Sequence, residues 1–248
     1  MGDRCQVSGV RSVSVMRQIL RFSTFLLSIG AACGPRDDSS TVEAVQDAAD
    51  LKLERGEIAI EYLAHAAFRI HSAEGSKILI DPYASQVWLG YDFPDSVATD
   101  AVLITHPHYD HDAGDFRGLP FPWDSTVPVF RDPGTYSVGE FTIRGVRGKH
   151  ADPYGMEFGQ INTIWMIEFA GLRIAHLGDN GPITDAIVRE MGRVDVLMIP
   201  IDADYHIIDE AAIQLARSAL KPRVLIPMHY RIPDLEASAD SPSDLGEI

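Results

Sequence analysis

The sequence of 248 residues is poor in cysteine and in basic residues, and each shortage excludes a class of protein. Only Cys5 and Cys33 occur, both near the N-terminus, so no disulfide framework can hold the chain together. A metal site elsewhere in the chain would have to use histidine and carboxylate ligands. Lys and Arg number 21 against 36 Asp and Glu, which gives a formal net charge of −15. Because a protein that contacts the nucleic-acid backbone needs a basic patch, we expect no nucleic-acid partner.

Long apolar runs are also missing near the N-terminus, where the run Phe22–Ile29 is far shorter than the ~20 residues of a membrane-spanning helix. Arg17 and Arg21 precede this run, and Gly-Ala-Ala-Cys follows it at 30–33, which is the order of residues in an export signal. A cysteine directly after small residues resembles the signal of a bacterial lipoprotein, with Cys33 as the lipidated residue. Gly30 departs from that pattern, in which Leu is usual three residues before the cysteine.

We therefore predict a lipoprotein-type signal segment over residues 1–33, an acidic flexible linker over 34–55 and a folded domain over 56–248. The signal predicts a protein exported from a bacterial cytoplasm, periplasmic and associated with a membrane through Cys33. Plain secretion and an N-terminal extension without export stay open as alternatives, and Met16 is an alternative start to Met1. The sequence indicates no oligomeric state.

Short β-rich runs separated by Gly, Pro or Asp fill the folded domain. The predicted strands are Ile58–Leu63, Ala67–Ile70, Lys77–Asp81, Ala101–Thr105, Val127–Phe130, Phe141–Val146, Ile161–Glu168, Leu172–His176, Val194–Pro200 and Arg223–Met228. Two helices are predicted, Asp185–Met191 after the N-cap Thr184 and Glu210–Leu220 after the N-cap Asp209. Many strands with a few packed helices indicate an α/β sandwich.

The segment from Thr105 to Asp112, with the sequence THPHYDHD, carries the most chemical information. His106 and His108 stand two residues apart after an apolar strand, so in extended chain they point the same way. Asp110 and His111 follow on a turn. Imidazole and carboxylate are the ligands that zinc takes when no thiolate is present, so this segment predicts a metal site. The alternative is a solvated polar loop.

This HxHxDH pattern resembles the signature of the metallo-β-lactamase superfamily, and the resemblance covers about residues 57–235. Further matching segments follow in the expected order: Tyr62–Phe68, Ile78–Pro82, His176–Asp179 and Pro227–Tyr230. Together they look like the branch that includes L-ascorbate-6-phosphate lactonase and related uncharacterised hydrolases. The resemblance implies an α/β (α+β) fold, the αββα sandwich of the metallo-β-lactamase type.

The resemblance also implies a dinuclear metal centre. One ion would be held by His106, His108 and His150, and the other by Asp110, His111 and His229, with Asp179 bridging the two. Zinc is the expected metal, with Mn²⁺ or Fe as alternatives. The predicted catalytic residues are Asp110 and Asp179, together with His206, which precedes the last helix on a loop expected to border the cleft and could instead be a surface residue. A hydroxide shared by the ions would attack, Asp179 would orient it, and His206 would stabilise the developing oxyanion.

Supporting roles are predicted for four further residues. Asp81 ends a strand and is expected to hydrogen-bond a ligating histidine, as is His176. His65 lies in the segment Tyr62–Phe68 and is expected to face the metal cleft. Asn162 is a candidate donor to the substrate. Each could equally have a purely structural role in a turn or in the core.

The leading functional hypothesis is a metal-dependent hydrolase acting on a small-molecule ester, lactone or phosphoester. A phospholipid phosphodiesterase is the nearest alternative, since a lipid anchor would suit it. A β-lactamase is a further alternative, and a lipid-anchored metal-binding protein without turnover is one of a different class. Metal content and hydrolysis of generic esters would separate these hypotheses.

Overall fold

The computed structural model describes residues 52–87, 92–114, 121–151, 154–202 and 213–230, and the backbone of 18–23 and 210–212. These ranges contain β1 (Gln18–Ser23), β2 (Glu57–Ala64), β3 (Ala67–Ser72), β4 (Lys77–Ile80), β5 (Ala101–Leu103), β6 (Val129–Phe130), β7 (Gly134–Val138), β8 (Phe141–Lys149), α1 (Tyr154–Glu157), β9 (Ile161–Phe169), β10 (Leu172–His176), α2 (Asp185–Met191), β11 (Val196–Pro200), α3 (Glu210–Leu220) and β12 (Val224–Met228). Among the described residues, no helix is long and apolar enough to cross a membrane.

The strands form two six-stranded sheets, in the orders β1-β2-β3-β4-β5-β6 and β12-β11-β10-β9-β8-β7. In the first sheet β1 to β4 are antiparallel, whereas β4, β5 and β6 run parallel. In the second, β7 to β10 are antiparallel and β10, β11 and β12 run parallel. The carboxyl ends of parallel strands meet at one edge of a sheet, which is where ligands bind in such folds.

The main core contains apolar side chains of both sheets, including Phe68 and Ile70 from the first and Trp165 and Met198 from the second, all fully buried. A second cluster joins the other face of the second sheet to α2 and α3, with Met191 and Ala216 among its members. On the outer face of the first sheet, the apolar cover comes from loop residues such as Phe93 and Trp123. The predicted architecture of two packed sheets with helices is confirmed.

The ten predicted strands and two predicted helices all appear, and the differences lie mainly at their ends. The strand predicted over Val127–Phe130 shortens to β6, whereas β8 continues three residues past Val146 to Lys149. The sequence analysis missed β7, because Gly134 and Ser137 interrupt its strand-favouring residues Thr135, Tyr136 and Val138. Pairing with β8 fixes that strand. The single-turn helix α1 was missed as well.

The third unpredicted element is β1, which lies within the segment 1–33 expected to be an export signal. Its backbone pairs antiparallel with β2, from Gln18 opposite Tyr62 to Ser23 opposite Glu57. Cleavage before Cys33 would remove this strand and leave β2 as the edge of the first sheet. The signal therefore stays a prediction.

Candidate metal centre

The site forms where strands of both sheets end. His106 to His111 follow β5, and Asp81 follows the neighbouring β4. In the second sheet, three turns contribute: Asp179 lies after β10, Asp202 after β11 and His229 directly after β12. Of the His and Asp side chains at these strand ends, all are buried except His108, which is partly buried. Buried polar groups need partners, so the cluster indicates a built site.

Three histidines form a first donor cluster. The rings of His106 and His108 are 4.5 Å apart, and each lies within 4.7 Å of the ring of His150. One nitrogen from each comes within 4.8 Å of the others. His150 directly follows β8 and forms an isolated bridge with Asn180.

A second donor cluster contains His65, Asp110, His111 and His229, whose ligand atoms again lie within 4.8 Å of one another. Asp110 Oδ2 is 3.6 Å from the Nε2 atoms of His111 and His229, and 3.1 Å from His65 Nε2. All four residues are buried. His65 therefore does face the metal cleft, as its position in the sequence predicted.

Asp179 lies between the two clusters. Its Oδ2 atom is 3.7 Å from His106 Nε2 and 3.6 Å from His150 Nε2 on one side. On the other side it is 3.2 Å from His111 Nε2 and 3.3 Å from His229 Nε2. One carboxylate oxygen thus faces nitrogens of both clusters, which is the arrangement that a bridging ligand needs.

Several of the site histidines have a polar partner of their own at Nδ1, the nitrogen that points away from the clusters. His111 Nδ1 donates to Asp81 Oδ2 at 2.7 Å, and His150 Nδ1 donates to the carbonyl of Ala151 at 2.8 Å. His229 Nδ1 lies 2.9 Å from Asp202 Oδ2. Such partners fix the tautomer and aim the Nε2 lone pair inward, as in known metal sites.

Asp81 supports a second histidine through Thr105. The Thr105 hydroxyl donates to Asp81 Oδ2 at 2.7 Å and lies 3.0 Å from His106 Nδ1, so it can accept the proton of that nitrogen. The amide of Thr105 donates to Asp81 Oδ1 at 2.8 Å. One buried carboxylate therefore orients His111 of the second cluster directly and His106 of the first through a hydroxyl. The predicted hydrogen bond from Asp81 to a site histidine is confirmed.

These residues fit divalent metal ions. Within the described residues, the inward Nε2 atom of His106 is buried without a hydrogen-bond partner. Two donors bound to one zinc ion at ~2.0–2.2 Å in tetrahedral geometry would stand ~3.3–3.6 Å apart. The separations of 3.1–3.7 Å from the Asp110 and Asp179 oxygens to the histidine nitrogens span this range.

Burial keeps part of the histidine set neutral. It lowers the pKa of His106 well below 6.5 and the pKa values of His65 and His108 to about 4, with neighbouring histidines adding to the effect on each. A neutral imidazole has the free lone pair that a metal ligand requires. These three rings can therefore coordinate a cation at neutral pH without first losing a proton.

The carboxylates have the opposite effect on two other histidines. Burial lowers the pKa of His111, but the charges of Asp179, Asp110 and Asp81 outweigh this effect and raise it to about 10. Burial likewise opposes Asp179 and Asp202, which raise the pKa of His229 well above 6.5. The carboxylates create a strongly negative site that protons or metal cations can neutralise.

The turn that carries Asp179 is held by residues for which the sequence suggested other roles. Asn162 Oδ1 accepts from the Asp179 amide at 3.1 Å, and its amide group donates to the carbonyl of Leu177 at 2.8 Å. Asn162 is fully buried and occupied in this way, so its predicted role as a substrate donor is wrong. His176 Nδ1 accepts from the Gly178 amide at 3.2 Å, and its Nε2 bonds the Ala66 carbonyl. His176 therefore supports the turn and does not hydrogen-bond a site histidine.

The structure brings all seven residues of the implied ligand set together: His106, His108, Asp110, His111, His150, Asp179 and His229. The predicted catalytic residue His206 lies outside the described residues. Asp202 was missed, although it follows the apolar strand β11 as Asp179 follows β10. That shared position at a strand end was the signal that could have found it.

A two-sheet fold with two histidine and carboxylate clusters at its strand ends defines a metal-dependent enzyme of the metallo-β-lactamase type. The family model described as "Beta-lactamase superfamily domain" matches residues 59–229, which is more than half of the chain. The chain therefore belongs to this superfamily.

Similar proteins indicate the type of enzyme within this superfamily. A UPF0173 metal-dependent hydrolase of Archaeoglobus fulgidus is 30% identical over 194 residues, covering 69% of this chain and 82% of the relative. One of Carboxydothermus hydrogenoformans is 29% identical over 192 residues, with coverages of 69% and 84%. A crystal structure from Thermotoga maritima, of a proposed Zn-dependent hydrolase of the metallo-β-lactamase superfamily, is 28% identical with a TM-score of 0.55. It covers 72% of this chain and 79% of that chain. The protein is a metal-dependent hydrolase of the metallo-β-lactamase superfamily.

Proposed function

We propose that this hydrolase cleaves a small ester, lactone or phosphoester at a dinuclear centre, with zinc as the metal in both positions. The observation that carries the proposal is the position of Asp179, whose Oδ2 atom lies 3.2–3.7 Å from nitrogens of both donor clusters. His106, His108 and His150 would hold one ion, and Asp110, His111 and His229 the other. The similarity of the sequence to the lactonase branch favours lactones within this substrate class.

Two cations bound here would supply a water-derived nucleophile at neutral pH and polarise the scissile carbonyl or phosphoryl oxygen. The side chains supply charge and orientation. Burial opposes ionisation of Asp110, but His111, His229 and His65 hold its pKa well below the usual 3.8. Asp110 is therefore ionised at neutral pH, and a carboxylate in this position can accept a hydrogen bond from an attacking water and orient it. His206 stays a proposed donor to the oxyanion.

An apolar surface beside the first cluster supports an organic substrate with an apolar part. The ring of Tyr154 lies 5.0 Å from that of His108 and 5.3 Å from that of His150. Next to it, Met156 and Phe158 are 72% and 71% exposed. Exposed apolar side chains grouped at the mouth of a site are typical of a surface that binds a ligand.

We also propose that the enzyme is exported and anchored to a membrane through Cys33, which rests on the basic, apolar and small-residue order of the N-terminal segment. Its partner would be a small-molecule substrate. Metabolic labelling with a radioactive fatty acid tests the anchor, because Cys33→Ser should abolish incorporation. Labelling of that variant at the wild-type level would contradict it.

The catalytic proposal is tested by elemental analysis of the purified full-length chain, together with a panel of esters, lactones and phosphodiesters with and without chelator. We expect about two ions per chain and turnover that the chelator abolishes. Asp110→Ala should abolish hydrolysis and reduce the bound metal from two ions toward one. Asp112→Ala is the matched control, since Asp112 pairs with Arg131 and lies in neither cluster. Metal without turnover would favour the binding-protein alternative, and full activity in Asp110→Ala would refute the site.

A further inference from the structure

His65 lies within the second donor cluster but is not among the seven residues of the implied ligand set. Its ligand atom lies within 4.8 Å of those of Asp110, His111 and His229, and the residue is completely buried. We propose that His65 is a direct ligand of the second metal ion, which would then have four donors from this cluster against three histidines in the first. The proposal rests on the proposed function in that it presumes two bound ions.

The distances favour coordination. His65 Nε2 is 3.1 Å from Asp110 Oδ2, against 3.6 Å for the corresponding nitrogens of His111 and His229. Two donors that share a zinc ion at tetrahedral angles stand ~3.3–3.6 Å apart, so His65 needs to move by only a few tenths of an ångström. Its ring is already in contact with that of His229, with the ring centres 3.9 Å apart.

The backbone is shaped to bring His65 into the cluster. Ala64 and His65 have φ angles of 107° and 55°, in the left-handed region that costs a non-glycine residue ~1–3 kcal/mol. The pairing register of β2 and β3 shifts at this point, between Tyr62 and Ala64. The turn is locked to the far sheet, because the His65 carbonyl accepts from the amide of His229 at 2.9 Å. Such strain persists where surrounding contacts hold it, and here they aim an imidazole at the metal cleft.

The Nε2 atom of His65 faces Asp110 within the second cluster. Within the described residues its Nδ1 atom is buried without a hydrogen-bond partner, so Nε2 is the nitrogen through which the ring can meet Asp110 or a metal ion. The competing role is a positioning one, in which Nε2–H donates a hydrogen bond to Asp110 and never contacts the metal.

Two variants separate coordination from positioning. His65→Ala removes both interactions, whereas His65→Gln retains an amide that can donate to Asp110 but binds zinc poorly. The matched control is His71→Gln, which alters a histidine of the same hairpin that pairs with Glu61 away from both clusters. Folding of each variant is checked by circular dichroism and thermal melting, and metal affinity is measured by competition with a chromophoric chelator.

We expect His65→Ala and His65→Gln to bind the second ion more than ~100-fold more weakly, beyond the ~10–100-fold that loss of an outer hydrogen bond costs. With Co²⁺ in place of zinc, both variants should also change the visible absorption bands, which respond to the loss of a nitrogen ligand. His71→Gln should match the wild type. If His65→Gln keeps wild-type affinity and spectrum, His65 is only a positioning residue and the proposal is overturned. If the wild type itself binds fewer than two ions, the proposed function fails as well.

Discussion

Replacing Asp81 with asparagine should weaken metal binding at both positions, although Asp81 is not among the proposed ligands. Its two oxygens accept from the Thr105 amide, the Thr105 hydroxyl and His111 Nδ1 at 2.7–2.8 Å. In Asp81→Asn one of those oxygens becomes an NH₂ group. If this group faces a neutral, metal-binding His111, two donors oppose each other, and relief requires the imidazole to move its proton from Nδ1 to Nε2.

That proton would then sit on the nitrogen that must bind the metal. The other orientation of the amide aims its NH₂ group at the Thr105 N–H, so neither orientation satisfies all three donors. Thr105 also accepts from His106 Nδ1, so the disturbance extends to the first cluster. We expect metal affinity to fall ~10–100-fold, which is ~1.4–2.7 kcal/mol, as for other partners of ligating histidines.

The assay is chelator competition on wild-type and variant chains, with stability measured by urea denaturation in the absence of metal. Asp195→Asn is the matched control, because Asp195 is also a buried carboxylate, accepting from the Arg173 amide and from Arg193, but lies away from the site. Asp81→Asn should lose ~1–3 kcal/mol of stability, since it strands a buried donor. Asp195→Asn should lose less, because its amide oxygen can still accept from the Arg173 amide while its NH₂ group faces Arg193, whose side chain is 62% exposed. Only Asp81→Asn should lose metal affinity. Equal metal affinity in the two variants would refute the argument about the histidine tautomers.

Two further predictions concern protons and the Asp179 turn. With pKa values of about 10 for His111 and well above 6.5 for His229, both are protonated in the metal-free chain at pH 7. Metal binding at pH 7 should therefore release ~2 protons, and metal affinity should rise with pH up to about 10. Calorimetry in buffers of different ionisation enthalpy measures the proton release, and finding none would contradict this prediction. Gly178→Ala should lower stability by ~1–3 kcal/mol, because φ is 55° and a Cβ would lie 2.4 Å from Asn162 Oδ1. Gly171→Ala, at φ 84° with open space around it, should show the strain alone, and equal melting temperatures for the two would disprove the steric reasoning.

Protonation of these histidines also affects the stability of the metal-free chain. A histidine whose pKa is raised on folding stabilises the folded state below its unfolded pKa of 6.5, and this contribution is lost as the pH rises through the folded value. For His111 the window runs from pH 6.5 to about 10. The melting temperature of the metal-free protein should therefore fall across this window, and bound metal should reduce the dependence because the cation replaces the proton.

Much of the fold could be predicted because its strands are short apolar runs bounded by turn residues. The predicted and observed bounds of β10 and α2 are identical. A Gly turn precedes Leu172–His176, and Thr184 and Gly192 flank Asp185–Met191, so the sequence marks these ends clearly. β7 was missed because Gly134 and Ser137 interrupt the strand-favouring Thr135, Tyr136 and Val138, which leaves a short, broken pattern that pairing with β8 completes. β1 was missed because Gln18–Ser23, with Arg21 within it, was assigned to the predicted signal segment 1–33.

The proximity of the site residues could be predicted where donors are close in sequence or follow a strand. His106, His108, Asp110 and His111 meet both conditions, and His229 meets the second. Asn162 was misread because its position at the start of β9 does not tell which face it occupies; its side chain holds the Asp179 turn. The role of His65 was only partly predictable, because it depends on two left-handed residues that the sequence does not mark with glycine.

The supporting carboxylates are divided between the two sheets, and this has an energetic consequence. Asp81 of the first sheet orients His111, whereas Asp202 of the second lies beside His229, so each sheet brings its own ligands with their own partners. Metal ions bound between them would join the two sheets at the open edge of the sandwich. Because the unfolded chain lacks this arrangement, binding free energy adds to folding stability as RT ln(1 + [L]/Kd), or ~2.7 kcal/mol at a free-metal concentration of 100 Kd. Loss of metal should therefore loosen the strand ends that carry the ligands before it disturbs the core around Trp165.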